Sequence, residues 1–220
     1  SSSSNITLTA NAMSTSGTTV NTTGTLTIQP YGNDFSSGYA FNNWTLSSSL
    51  TGLTIGKSAT GSDGVNDITV DLQRAISIAG PVSVFADNIG SAGITTSAAN
   101  GHVLLKASGY ISLNANVGGI TTQGGQVVLW SNAVDAAITS TENNEVNIWD
   151  GNTISTNGGR IVIAGGLDDG GTAAGLTGLT AGDGLPDGYA YRGSAGRQNW
   201  AGVGLGDIVN AGRSVVSLKS

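Results

Sequence analysis

The sequence predicts an all-β fold, and within that class a right-handed parallel β-helix (β-solenoid) with inserted loops. Three observations carry this expectation. Short apolar runs alternate with Ser and Thr, Gly and Asn punctuate them, and one phrase recurs at spacings that suit stacked coils.

The alternation comes first. Ile6-Thr-Leu8-Thr, Leu26-Thr-Ile28, Ile68-Thr-Val70-Asp, Ile111-Ser-Leu113-Asn and Val146-Asn-Ile148-Trp are short, period-two and rich in β-branched residues. Such segments read as half-buried strands bounded by turns. No window of eleven or more residues carries a helical stripe, because Gly interrupts nearly every candidate at about 1 kcal/mol relative to Ala.

The phrase pairs an Ile-polar-polar stretch with a small turn and a second alternating strand. It reads Ile76-Ser-Ile-Ala-Gly-Pro-Val82-Ser-Val84, then Ile94-Thr-Thr-Ser-Ala-Ala-Asn-Gly-His-Val103-Leu-Leu105. It returns as Ile120-Thr-Thr-Gln-Gly-Gly-Gln-Val127-Val-Leu129 and Ile154-Ser-Thr-Asn-Gly-Gly-Arg-Ile161-Val-Ile163. Looser copies run from Val20 to Ile28 and from Ile208 through Val216 to Leu218. Between Leu26, Val82, Val103, Val127, Ile161 and Val216 the steps are 56, 21, 24, 34 and 55 residues. Steps of 21 and 24 suit one coil of three short strands, 34 a coil with an insertion, and 55 or 56 two coils or a large loop. A sandwich or antiparallel barrel has no reason to repeat one phrase at such intervals.

Stacking accounts for the composition. Val103, Val127 and Ile161 are expected in one aliphatic column, with Ser, Thr, Asn and Gln outward. Charges stacked every ~4.8 Å would repel, which suits a chain with only 10% charged residues. Gly is expected to supply positive φ at the corners. The whole of 1–220 reads as one β-solenoid domain with two interruptions. An irregular aromatic segment spans about 29–49 (Tyr31, Phe35, Tyr39, Phe41, Trp44), and a long Gly-rich loop spans about 165–206. Loops of that length are usually functional, and its aromatic end (Tyr189, Tyr191, Trp200) is expected to fold back over a sheet face.

Charge and cysteine content exclude several classes. Net charge is −6 with eight Lys plus Arg and no cationic cluster, so nucleic acid is not expected as a partner. There is no Cys, hence no disulfide or thiolate metal site. No apolar run approaches the eighteen or so residues of a membrane span, so no membrane insertion is expected. Ser1–Asn5 lacks the basic and apolar regions of a signal peptide, which suits a mature form or a piece of a longer chain.

Candidate site residues are few, and each has a plainer reading. Asp183 and Asp187 sit on a Gly turn that faintly resembles a calcium loop, but carboxylates on such turns usually accept from their own backbone. Asp168-Asp169-Gly170 and Asp63-Gly64 are thinner versions. His102 is the single histidine, next to a strand start, and is expected at a solvated turn rather than in catalysis. Asp63, Asp67 and Asp71, with Arg74 nearby, are the densest acidic group and the one place where a carbohydrate-cleaving enzyme would find its acids. Trp130 and Trp149 are expected outward, either stacking on sugar rings or, the favoured reading, capping the sheet beneath a loop. Thr7/Thr9 and Thr25/Thr27 resemble an ice-binding ladder but do not continue through the later copies. No catalytic, cofactor-binding or metal-binding residue is assigned.

Gly124-Gly-Gln-Val-Val-Leu-Trp-Ser131 and Thr156-Asn-Gly-Gly-Arg-Ile-Val-Ile-Ala-Gly-Gly166 resemble the β-helical repeats of filamentous-haemagglutinin-like bacterial exoproteins, as does Gly188-Tyr-Ala-Tyr followed by Gly202-Val-Gly-Leu205. The similarity covers roughly residues 50–220. The resemblance implies a secreted or cell-surface location, export often with a partner transporter, and a role in adhesion or extracellular scaffolding. The family's secretion-recognition domain is usually amino-terminal, and residues 1–50 do not match it. The expected function is that of a non-catalytic stiff rod without cofactors, whose partners are host-surface or matrix glycans. The copy at Ser214–Ser220 has no polar cap, so its neighbour is expected to be the remainder of a longer parent chain or a second subunit stacked head-to-tail as a filament. A carbohydrate-active β-helix enzyme or glycan-binding module is the remaining alternative.

Overall fold

A computed structural model describes residues 2–13, 17–57, 68–114, 116–134, 143–149, 151–173, 175–192, 203–205 and 217–219. Every regular element among them is a strand. The first eight are β1 (Ile6–Thr9), β2 (Thr19–Val20), β3 (Thr25–Gln29), β4 (Tyr39–Phe41), β5 (Thr45–Leu46), β6 (Gly52–Ile55), β7 (Thr69–Leu72) and β8 (Ile76–Ile78). Then come β9 (Val82–Ala86), β10 (Asn88–Ser91), β11 (Ile94–Ala99), β12 (Val103–Ala107), β13 (Ile111–Leu113), β14 (Ile120–Gln123) and β15 (Val127–Ser131). The last are β16 (Asn143–Asn144), β17 (Val146–Ile148), β18 (Thr153–Ser155), β19 (Ile161–Gly165), β20 (Tyr191–Arg192), β21 (Val203–Leu205) and β22 (Ser217–Lys219).

Three sheets hold most of these strands, and every pairing within them is parallel. Sheet one runs β1-β3-β6-β9-β12-β15-β19, sheet two β4-β7-β10-β13-β17-β21, and sheet three β8-β11-β14-β18-β22. From β6 onward the chain visits sheets one, two and three in strict rotation, apart from the two-residue strands β16 and β20, which pair antiparallel with each other. The parallel pair β2-β5 takes the third place in the two earliest turns, and β5 contacts β8.

Register turns the repeated phrase into columns. In sheet one, Ile6, Leu26, Leu53, Val82, Val103, Val127 and Ile161 lie side by side, and so do Leu8, Ile28, Ile55, Val84, Leu105, Leu129 and Ile163. Ile76, Ile94, Ile120 and Ile154 form the matching column of sheet three. In sheet two the columns are Tyr39, Val70, Ile89, Ile111, Val146 and Phe41, Leu72, Ser91, Leu113, Ile148. These side chains form one core, most of them fully buried. Each fully buried Leu, Ile or Val contributes roughly 1.5–3 kcal/mol relative to exposure, which is how three-residue strands become stable in company.

The corner between sheets three and one uses two devices. A Thr two places after the phrase's Ile is wholly buried: Thr96, Thr122 and Thr156 donate their hydroxyls to the carbonyls of Gly101, Gly125 and Gly159, each at 2.5 Å. The turn's two small residues then do different jobs. Gly124 and Gly158 have φ of 81° and 108° with open space around them, and Asn100 takes that place at 66°. Gly125 and Gly159 instead lack room: a Cβ on either would strike the carbonyl of the preceding copy's corner, Gly101 or Gly125. The expectation of glycines chosen for φ therefore holds for one of the pair and misses the other.

Several expectations change in detail. The 56-residue step from Leu26 to Val82 spans two strand-to-strand steps of sheet one, because Leu53 lies between them in register. Its corner, Leu46 through Leu53, is a copy of the phrase that lacks the Ile and the double Gly. The terminal copy sits one sheet earlier than expected: Leu218 pairs with Ile154 in sheet three, not with Ile163 in sheet one. Its Val216 lies outside the described residues. The aromatic segment 29–49 contributes β4 and β5, and Phe35, Tyr39, Phe41 and Trp44 are buried, with Phe35 stacked on Tyr39 and Phe41 on Trp44. Large rings there fill the core space that aliphatic residues fill elsewhere.

Candidate functional site

The outward rows distinguish one face from another. On sheet one the central outward row is Thr7, Thr27, Thr54, Ser83, Leu104, Val128, Val162, so it passes from hydroxyl to aliphatic along the stack. Beside it Phe85, Lys106, Trp130 and Ala164 are adjacent. A two-wide Thr array does not form: Thr9 neighbours Gln29, which donates to it, and Thr25 neighbours Gly52.

Val128 and Trp130 point away from the core by register, yet they are only 2% and 3% exposed. The Trp130 indole N–H donates to the Gly166 carbonyl at 2.7 Å, at the start of the Gly-rich loop. Lys106 places its ammonium 3.6 Å from the Trp130 ring centroid, a cation–π contact. Burial pushes the Lys106 ammonium below its ordinary value of 10.5, while the Asp168 carboxylate pulls the other way. Trp130 thus takes the capping role beneath a loop that the sequence favoured.

The loop's carboxylates organise its own backbone. Asp168 accepts from the N–H groups of Gly182, Asp183 and Gly184, and Asp169 accepts from Gly171 and Ala173. Asp187, buried, accepts from Gly170, and Asp183 accepts from Leu185. The ends are pinned by an antiparallel bridge between Gly165 and Gly188 and by Asp187 N–H donating to the Leu167 carbonyl. Asp183 thus serves the backbone of its own turn, whereas the Asp187 carboxylate reaches across the loop to Gly170. Among the described residues no group of three or more His, Cys, Asp or Glu is placed to hold a metal. Tyr189 emerges from this loop 58% exposed; the side chain of Tyr191 and all of Trp200 lie outside what is described.

The acidic group divides. Asp63 and Asp67 lie outside the described residues, while Asp71 is in β7 on the outer face of sheet two. There the in-register row is Asp71, Gly90, Ser112, Asn147. Asp71 leans toward Gly90, where a Cβ would come 2.8 Å from its Oδ1. Its Oδ2 accepts from the Gln73 side-chain amide at 2.9 Å. From the other side Trp149, two residues beyond Asn147, reaches back so that its indole N–H donates to the Ser112 hydroxyl at 3.0 Å. Trp149 is 36% exposed, so the two tryptophans paired by sequence have separate fates. His102 is exposed at the corner, where its Nδ1 accepts from the Gln126 N–H at 2.9 Å. That bond occupies one ring nitrogen in holding adjacent turns together.

Sequence reasoning missed Lys106, Gln73, Gly90 and Ser112, because their roles depend on which strand lies beside which. It also missed the buried threonines, although Ile94-x-Thr96, Ile120-x-Thr122 and Ile154-x-Thr156 show the period plainly.

The geometry defines an all-β protein of parallel sheets with hydroxyl, amide and aromatic outer faces. No family model, no curated protein and no solved structure matches the chain. No helix among the described residues is long and apolar enough to cross a membrane.

Proposed function

We propose that the three parallel sheets are the faces of a right-handed parallel β-helix, and that this β-helix is a stiff, non-catalytic segment of a secreted or cell-surface bacterial protein. The observation carrying this reading is the unbroken register of sheet one across seven strands, with aliphatic columns inside. Strict rotation among three sheets is what a coiled chain does, and right-handed crossover is the hand that twisted parallel strands favour. The rod reading also fits the hydroxyl rows Thr7, Thr27, Thr54, Ser83 of sheet one and Ser77, Thr95, Thr121, Ser155 of sheet three, which hydrate a surface without stacking charge. Adhesion is the role that suits such a rod, in the manner of filamentous-haemagglutinin-like exoproteins, with loops and faces as the contact surfaces.

Small-angle scattering from the purified chain tests the rod, which should have a constant cross-section and a length that grows when coils are added. A maximum dimension that stays unchanged when coils are added would refute it. Retention of the chain on host cells or matrix glycans, with no release of reducing ends, tests the non-catalytic adhesive role.

A second reading is a filament of head-to-tail subunits. Its support is that Ile161 and Ile163 of β19, whose one sheet neighbour among the described residues is β15, are half-buried, whereas their counterparts in β15 are fully buried. Another coil, from the parent chain or a second copy, would cover them. Electron microscopy over a range of concentrations separates polymers from discrete particles.

A further inference from the structure

We propose that the outer face of sheet two carries a binding site for an uncharged saccharide, formed by the Trp149 indole on one side and the Asp71–Gln73 pair on the other. This rests on the reading of the chain as a non-catalytic display rod and supplies its ligand class. Four adjacent strands contribute: β7, β10, β13 and β17. Strands lie ~4.8 Å apart, so from Asp71 to Ser112, which anchors the indole, the row spans roughly 10 Å, room for one or two sugar rings.

Each wall is held in place by its neighbours. The Trp149 indole is tethered through its N–H to Ser112 on the next strand, which keeps the ring over the sheet and leaves it 36% exposed. An aromatic ring fixed in this way offers an apolar plane to the C–H face of a pyranose at little entropic cost. Opposite it, the Gln73 amide is bonded to one Asp71 oxygen, and the other leans over Gly90 toward Ser112. A carboxylate beside an amide offers both acceptors and a donor to sugar hydroxyls. The floor between is low, because Gly90 has no side chain and Ser112 a short one.

Charge selects among sugars. Asp71 stands in the site and the chain carries −6 overall, so a uronate or sialylated ligand would be repelled. Among the described outward residues, Asp71 is the only charged member of its row. The site therefore favours neutral hexose or pentose polymers. The Lys106–Trp130 pair on sheet one offers no equivalent, since its ring is covered by the Gly-rich loop.

The test uses the whole chain on immobilised hexasaccharides of β-1,4-glucan, β-1,4-mannan, β-1,4-xylan, α-1,4-glucan and α-1,4-galacturonan. At least one neutral sugar should be retained, with affinity falling about tenfold or more in Trp149→Ala and in Asp71→Ala. Trp149→Phe, which keeps an apolar ring but loses the tether to Ser112, should bind between the wild type and Trp149→Ala, and Gly90→Val, which raises the floor, should abolish binding; far-UV circular dichroism identifies any variant that fails to fold. Failure of every neutral sugar to bind above the level of the Trp149→Ala/Asp71→Ala double variant overturns the site, as does preferential retention of galacturonan. Release of reducing ends would instead overturn the non-catalytic reading, and scattering judges the rod independently of either result.

Discussion

At Gly124-Gly125 two neighbouring glycines answer to different physical demands, and substitution separates them. Gly124 has φ of 81° in open space, so an Ala there costs about 1–2 kcal/mol for the left-handed backbone, and Asn, found at the equivalent Asn100, costs less. Gly125 is confined by the backbone of Gly101 and His102, which no rotamer change can move aside. Gly125→Ala should therefore cost about 1–3 kcal/mol or more by urea denaturation, and Gly124→Asn under about 1. The reverse order would contradict the stacked corner. Thr122 donates to Gly125 while wholly buried, so Thr122→Val, similar in shape, should cost about 1–3 kcal/mol by stripping that carbonyl of its donor. Lys106 supplies a pH signature. Its folded pKa lies below the unfolded 10.5, so between the two values the unfolded chain binds more protons and stability rises with pH. Below that window the ammonium is charged in both states and the full desolvation penalty persists. Lys106→Met should abolish the rise, read as urea midpoints on the alkaline side up to pH 10.5. The residue-scale chemistry was partly legible: the Gly-Gly and Thr periods are printed in the sequence, whereas the reason for the second Gly is a contact with a residue 24 positions earlier.

The strand phrase was the most legible element because its period of two and its coil-sized spacing are local signals. Sheet one and sheet three follow it closely, and the sheet-two strands Ile111–Leu113 and Val146–Ile148 follow their own alternation. The Leu46–Leu53 copy escaped because Ser-Ser-Ser-Leu replaces its expected turn, so only pairing with Val20 and Leu26 reveals it. The Gly-rich loop was legible as an interruption but not as a cover. Its grip on Trp130 joins residues 36 apart, and nothing local in Trp130 distinguishes it from Trp149. Two attachments hold the loop to the sheet, the indole bond to Gly166 and the Gly165–Gly188 bridge, and Asp168 gathers three N–H groups within it. Asp168→Ala should thus speed proteolytic cleavage between residues 166 and 188 while leaving the far-UV spectrum of the sheets unchanged. Unaltered cleavage there would show that the carboxylate is not what orders the loop.

Across the whole molecule, the parallel register of the three large sheets makes equivalent positions of successive strands into neighbours, so an outward residue meets its counterparts on either side. That arrangement explains why charge is scarce, and it can be tested directly on the row Thr7, Thr27, Thr54, whose members lie on the adjacent strands β1, β3 and β6. Three lysines placed there would stand ~4.8 Å apart, where unit charges in water repel by roughly 0.9 kcal/mol per adjacent pair. The triple variant should accordingly be about 1–2 kcal/mol less stable than the sum of its single substitutions predicts, an excess that arises only from stacking. Salt provides the second arm. With the screening length near 3 Å at 1 M, the excess should largely vanish there, while hydrophobic contributions to the urea midpoint persist. A control with lysines at Thr7, Thr95 and Ser155 has no two on adjacent strands of one sheet, and its substitutions should add. Equal behaviour of the two triples at low salt would mean that these threonines do not form a ladder, and the columnar arrangement of the sheets would fall with it.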